Sequence, residues 1–527
     1  MSTPTAPPPS PSMHALFSIH ELLTHVLLFL DLADQYRLGL TCRALWDVAA
    51  PSVWRRVDNR YAVWRLLPQG LEMGRDDRKG LYLLKPDPSP DEIAHIARYT
   101  THIRHLTIEN NRFADQLTTS CPRLLVVPIV ISQHPALLPG LQSLHLIIHR
   151  DTPLGDQCTD VFVPLLQALP YTDLTVQVDV PRNTSYLQKL LQAVTREAHR
   201  LRSFSFQIGD TLEHWNQDAA LEAIFVDLQF RFLQHITRLT LKLLLQGITF
   251  LPILAALPEL QYLQLGTVVD HTEFADRPEL PYELPPTAFS QLRSLVITAG
   301  AYKDFLDVSF LLERVTSSQI ERLELPFKTI PALQSSIATI SARWSATLTS
   351  LKLVSRIFPV YSIAFPVFEP LTRCTKLRDV CFWECRLNYS DDQFQKLFES
   401  WPDVETLTIR DPKKWPRATC AVLDFVSTKC VKLSDLTLAV NLDSGMPHPP
   451  PDGHFPMTSP VRRYNAGYAS CTEPRPTFAF LLRTFPSLQT FECEAHKWDA
   501  KDMRGVVNGT SVGLSALAVM TGATQRR

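Results

Sequence analysis

The chain has 527 residues, 52 of them basic and 53 acidic, with 45% hydrophobic side chains. That balance belongs to a folded chain long enough for several domains or one extended repeat array. A net charge of −1 leaves no basic excess, which argues against a general affinity for nucleic acid or an anionic membrane.

Residues 1–12, MSTPTAPPPSPS, have neither a basic start nor an apolar core, so they read as a disordered arm rather than a secretory signal. The longest apolar stretch, Leu239 to Leu260, is interrupted by Lys242, Gln246, Gly247 and Pro252, so no membrane span is expected. The cysteines are therefore expected as thiols in a reducing compartment, cytoplasm and/or nucleus. None forms a Cys-x-x-Cys pair. The closest cluster, Cys374, Cys381 and Cys385, reads as structural thiols, and no metal or cofactor is expected.

Residues 13–56 carry Leu16, Ile19, Leu22, Leu23, Val26, Leu27 and Leu30 at three- and four-residue intervals, the pattern of one apolar helix face. Ser18 and Glu21 have capping-box spacing. Asp31 to Asp34 interrupts the pattern, and a second helix is expected through Leu38, Leu40, Ala44 and Leu45. Trp46, Val48, Val53 and Trp54 add bulky apolar groups. Three short helices of this length cannot bury that surface among themselves, so the remainder must pack on another domain or a partner.

The residue order of this segment resembles the F-box family. The matches are Ile19, Glu21, Leu22, Leu23, Val26, Phe29, Leu30, Asp31 and Asp34, then Leu38, Cys42, Arg43, Trp46 and Trp54. His20 stands where many members carry proline. The resemblance implies binding to a Skp-type linker subunit, and through it to a cullin and a RING subunit. Ile19, Leu22, Leu23, Val26, Leu30, Leu38, Cys42, Trp46 and Trp54 would then form that interface or its support.

Residues 57–100 show no repeat and read as a linker, with a helix from about Asp91 to Tyr99. From residue 101 a six-residue phrase, apolar at its first, fourth and sixth positions, recurs thirteen times, from IRHLTI (103–108) to LQTFEC (488–493). Its fourth position falls at 295, 323, 351, 380, 407 and 436, steps of 27 to 29 residues. Each phrase alternates like a short strand, and stretches such as 185–200, 221–236 and 391–402 between phrases have helical periodicity. A strand and a helix every 28 residues or so resembles the leucine-rich-repeat family, here in irregular form.

The expected fold class is therefore α/β, a three-helix F-box followed by an irregular leucine-rich-repeat-like solenoid of about 13 strand–helix units over residues 101–498. A Pro/Gly-rich loop insertion is expected at 440–477 and a disordered tail at 499–527. LRDVCFWECRL (377–387) matches the repeat pattern best, with Cys385 inward against backbone and Cys381 outward.

No phosphate loop, nucleophile elbow or His-Glu-x-x-His helix occurs, and no catalytic residue is assigned. His102 and His105 read as ordinary surface or packing residues, and Asp391 and Asp392 as a helix start. The third, fifth and seventh phrase positions form a polar face, broken by Trp383 among Arg322, Lys352, Asp379 and Arg410. That patch is the expected site for an unknown protein substrate. The resemblances imply a non-catalytic adaptor of a ubiquitin ligase. An interaction scaffold without ubiquitin transfer is the alternative.

Overall fold

In the computed structural model the described residues are 20–58, 72–76, 81–85, 87–110, 126–148, 158–178, 185–208, 233–242, 245–246, 251–266, 268–269, 284–298, 308–356, 362–410, 417–444, 459–467, 474–493 and 496–508. Ile19, the Ser18 cap and the helix expected at 221–236 lie almost wholly outside them. The chain divides into two compact units, Met1–Leu243 and Leu244–Arg527.

Unit 1 begins with three helices, α1 (His20–Phe29), α2 (Leu32–Gly39) and α3 (Arg43–Val53). Asp31 does not merely interrupt the pattern: its side chain accepts from the Asp34 N–H at 2.8 Å and caps α2. The expected single helix through Leu38 to Leu45 is broken at Leu40–Cys42, where α2 ends and Cys42 becomes the N-cap of α3. Gly39 lets those two helices approach, since a Cβ there would sit 2.8 Å from the Trp46 ring.

Strand β1 (Arg56–Val57) follows α3 at once and pairs in parallel with β4 (His105–Asn110). The linker expected at 57–100 is thus partly ordered. It also holds an antiparallel hairpin of β2 (Glu72–Asp76) and β3 (Leu81–Lys85), and helix α4 (Pro90–Thr100). A reciprocal capping box starts α4, Ser89 N–H to Glu92 at 2.7 Å and Glu92 N–H to Ser89 at 3.3 Å.

Beyond β4 run α5 (Val126–Gln133), β5 (Ser143–Ile148), α6 (Cys158–Ala168), β6 (Asp173–Val178), α7 (Ser185–Glu197), β7 (Ser203–Ile208) and β8 (Arg238–Lys242). The strands β4 to β8 pair in parallel and in sequence order, with Leu144, Leu174, Phe204 and Leu239 opposite one another. Side chains alternate half-buried and buried along β5, β6 and β7. Leu187, Leu190, Leu191 and Val194 of α7 are buried at helical spacing.

Unit 2 repeats the scheme with β9 (Leu245–Gln246), α8 (Leu251–Ala255), β10 (Tyr262–Leu265), β11 (Val268–Val269), β12 (Ser294–Ile297), α9 (Val308–Arg314) and β13 (Arg322–Phe327). It continues through α10 (Ile330–Trp344), β14 (Ser350–Ser355), α11 (Phe365–Phe368), β15 (Asp379–Trp383), α12 (Asp391–Glu399), β16 (Thr406–Arg410) and α13 (Cys420–Lys429). Then come β17 (Asp435–Leu438), β18 (Arg463–Asn465), α14 (Pro474–Thr484), β19 (Thr490–Cys493), β20 (His496–Asp499) and α15 (Ala500–Asn508). β9 and β11 form a separate two-stranded pair. The other strands join in order, parallel except for the antiparallel β20.

All thirteen phrases lie on strands, and their fourth residues form columns in register. In unit 2 the column runs Leu263, Leu295, Leu323, Leu351, Val380, Leu407, Leu436, Tyr464 and Phe491. Burying one such side chain contributes about 1.5–3 kcal/mol. Ordering each residue costs about 1–2 kcal/mol of backbone entropy. One unit with two or three inward residues therefore cannot stand alone, and stacking on neighbours is what makes each unit stable.

Two expectations need correction. The span 440–477 is not a simple loop insertion, because β18 lies within it and pairs with both β17 and β19. Val461, Tyr464 and Ala466 are a fourteenth phrase that splits the long gap into steps of 28 and 27 residues, from Leu436 to Tyr464 and on to Phe491. Nor is 499–508 a disordered tail: α15 buries Met503 and Val506.

Candidate functional site

The amphipathic pattern of the amino-terminal helices resolves into two faces. Leu23 and Leu27 of α1 are buried, with Ala49 and Ala50 of α3 in the same small core. One polar residue fastens the helices. Gln35 donates to the carbonyls of Leu27 (2.8 Å) and Leu30 (3.0 Å) at the end of α1, and accepts from the Ser52 hydroxyl of α3 (2.9 Å). Nothing in hydrophobic periodicity marks this latch.

Opposite that core the helices leave apolar groups open. Leu22, Val26 and Phe29 recur along α1, and Leu32, Tyr36 and Leu40 along α2, at spacings that align each set on one stripe. Phe29 is 89% exposed, Leu28 73% and Leu40 63%. Such a concentration of exposed aliphatic and aromatic groups on so small a surface has the composition of an interface.

Of the interface residues expected from the sequence, Leu22, Val26 and Cys42 are exposed. Leu30, Leu38, Trp46 and Trp54 are half-buried. Leu23 is buried and supports the fold rather than offering contact. Leu28, Phe29, Leu32, Tyr36 and Leu40 were absent from that set, although their exposure follows from the same helical periodicity once Leu23 and Leu27 are placed inside. Trp46 and Trp54 turn towards α4, where the Tyr99 ring lies 6.3 Å from Trp46 and 5.4 Å from Trp54.

The second candidate patch lies on the half-buried face of unit 2. Arg410 stands opposite Trp383 in the β15–β16 register, and its guanidinium stacks 4.3 Å from the ring centre. Lys352 and Arg322 both approach Glu324, at 2.6 and 3.9 Å. Asp379 accepts from the Thr406 hydroxyl across the same sheet. The structure thus unites Trp383 with Arg410, and pairs Arg322 and Lys352 through a glutamate that the sequence reading did not assign.

The neighbouring thiols are structural. Cys385 is buried and its Sγ donates to the carbonyls of Trp383 (3.5 Å) and Leu353 (3.9 Å), as its inward register position required. Glu384 takes φ 57°, the left-handed turn that swings Cys385 inward. Burial raises the Cys381 thiol, with Lys352 opposing that rise, and pushes Cys374 up to about 11. Asp391 is more than a helix start: it accepts from the N–H (2.8 Å) and hydroxyl (2.6 Å) of Thr419, tying α12 to the cap of α13.

Residues 20–60 match the family model described as F-box-like. No curated protein matches the chain. Solved structures that match include an internalin from Listeria monocytogenes, 14% identical with a TM-score of 0.34, covering 76% of this chain and 88% of that one. Among the described residues no helix is long and apolar enough to cross a membrane. The chain thus joins an F-box-like segment to a run of stacked strand–helix units.

Proposed function

We propose that this chain is the substrate-recognition adaptor of a Skp–cullin–F-box ubiquitin ligase. Its amino-terminal helices bind the Skp-type linker subunit, and the Trp383–Arg410 face of unit 2 holds a protein to be modified. The observation that carries the reading is the open apolar surface around Phe29, which is 89% exposed while Leu23 behind it is 2% exposed. The adaptor makes no covalent bond itself. Its contribution is to hold two partners on one chain, which converts their encounter into an intramolecular one.

The test is co-expression of the full chain with a Skp-type linker and a cullin. The wild type should co-purify with both, and a Val26→Asp/Phe29→Asp variant should lose both while keeping its thermal midpoint. Undiminished co-purification of that variant removes the helical face from the interface. Linker binding without cullin-dependent ubiquitin transfer would instead favour the plain interaction scaffold.

A further inference from the structure

Where α3 passes into β1, unit 1 holds a groove of about 570 Å³ against the half-buried face of β4, β5 and β6. The strand register builds its walls in two rows. Arg56 stands opposite His105, which stands opposite Ser143, and Thr107 stands opposite His145, which stands opposite Thr175. Arg55 joins them from the turn that follows α3.

The charges are unequally satisfied. Asp58 pairs with Arg56 at 2.8 Å and lies 3.4 Å from the Thr107 hydroxyl. Arg55 has no ion pair among the described residues. The Nε2 of His145 is buried with no hydrogen-bond partner among them. His145 lines the groove, and leaving its Nε2 unpaired forfeits that atom's hydration. A metal does not fit, since among the described residues no three His, Cys, Asp or Glu side chains could hold one. Two guanidiniums beside two imidazoles and several hydroxyls are instead the donors that an oxyanion takes.

We propose that this groove binds a phosphate-class dianion, with Arg55 as its charge partner, Ser143 and Thr175 as hydroxyl donors and His145 Nε2 as the donor from the floor. The volume exceeds that of the anion alone and accommodates a carrier, so the group can be free or borne on a partner's side chain.

Burial holds the His145 imidazole below its usual range, Asp58 opposing this and Arg56 adding to it. The charged or titratable groups around it are Arg55, Arg56 and Asp58 after α3, His105 and Glu109 on β4, and Asp173 on β6, whose carboxyl burial raises. His145 is therefore neutral near neutrality, and a bound dianion favours its protonated form. Binding should take up a proton and tighten as the pH falls.

The test is calorimetric titration of the full chain with sodium sulfate, whose charge is fixed, at constant ionic strength. Affinity should rise several-fold between about pH 7.5 and about pH 6.2. His145→Gln keeps a donor and should flatten that dependence, and Arg55→Gln should weaken binding about tenfold at both pH values. Inorganic phosphate and a short phosphoserine peptide then distinguish the source: tighter peptide binding assigns a peptide-borne phosphate, equal binding a free anion. Absence of saturable binding by all three probes, or equal affinity of Arg55→Gln and wild type with unchanged thermal midpoints, overturns the proposal.

Discussion

Replacing Tyr464 by alanine should release the carboxy-terminal end of unit 2 while its earlier strands stay folded. Tyr464 is 1% exposed, its ring lies 5.5 Å from Phe491 and 6.1 Å from Phe485, and its hydroxyl donates to the Leu438 carbonyl at 3.1 Å. Removing a ring from so closed a site costs about 3–5 kcal/mol. The abandoned buried carbonyl adds about 1–3 kcal/mol. β18 has three residues and is the strand that joins β17 to β19, so it holds little else to offset that loss. In a stacked array each unit leans on its neighbours, and the damage runs outward to α14, β19, β20 and α15. Hydrogen exchange read by mass spectrometry should show amides of residues 474–493 and 496–508 opening roughly a thousandfold more often, for a loss of about 4 kcal/mol. Amides of β13 to β16 should exchange as in the wild type. Tyr464→Phe, which keeps the ring, should cost about 1 kcal/mol. An even loss of protection across unit 2, or none at the carboxy-terminal end, would refute this account of β18 as a working repeat.

Leu23→Ala should destabilise the amino-terminal helices by about 2–5 kcal/mol, whereas Phe29→Ala should stay within about 0.5 kcal/mol, both read from chemical denaturation. Equal losses would mean that the two faces of α1 have been assigned the wrong way round. Trp383→Ala and Arg410→Ala should each weaken capture of a protein substrate by about 2 kcal/mol, roughly thirtyfold, and leave linker binding unchanged. Substrate affinity that ignores both changes would remove this patch from the reading. Burial pushes the Cys374 thiol up to about 11 and the Cys430 thiol up to about 12, so both stay protonated as the pH rises through 8, whereas Cys42 is exposed. Iodoacetamide at about pH 8 should therefore label Cys42 and spare the other two, as peptide mass spectrometry would show. Rapid labelling of Cys430 would contradict its buried placement.

The repeat was legible because parallel stacking places equivalent residues in one column. A leucine at the fourth position of one phrase meets its counterpart in the next, as Leu323, Leu351 and Val380 do. β18 escaped that pattern for a physical reason. Its inward residues are Val461, Tyr464 and Ala466, two of them not aliphatic leucine-like groups, embedded in a Pro- and Gly-rich stretch. The helical face was legible in outline, but spacing alone does not say which of two adjacent leucines turns inward. Leu22 is open and Leu23 closed because Gln35 and α3 fix how α1 lies on its neighbours. The polar contacts were least legible. Lys352 was expected in the substrate patch beside Trp383, and register places it opposite Glu324, 28 positions earlier in the chain, where the two pair at 2.6 Å.

The contacts of Tyr99 bear on how recognition and recruitment could share one chain. Its ring meets Trp46 and Trp54 of the amino-terminal segment and His95 of its own helix, at 6.3, 5.4 and 5.5 Å. Tyr36 continues the chain of rings, 6.1 Å from Trp46. Arg55 also offers its carbonyl to the N–H groups of Arg104 and His105, so α3 runs directly into the sheet. A flexible tether between the three helices and the sheet would need neither arrangement, and its composition would be polar and rich in glycine or serine. Here the residues that close the three-helix core also begin the sheet of unit 1. Aromatic contacts of this kind are worth about 0.5–1.5 kcal/mol each beyond their buried area. They make the helices an amino-terminal cap for the strands behind them, which has a polar consequence too. The groove between Arg55 and His145 exists because the cap delivers two arginines to the first strands, so the open helical face and the groove are built on one unit.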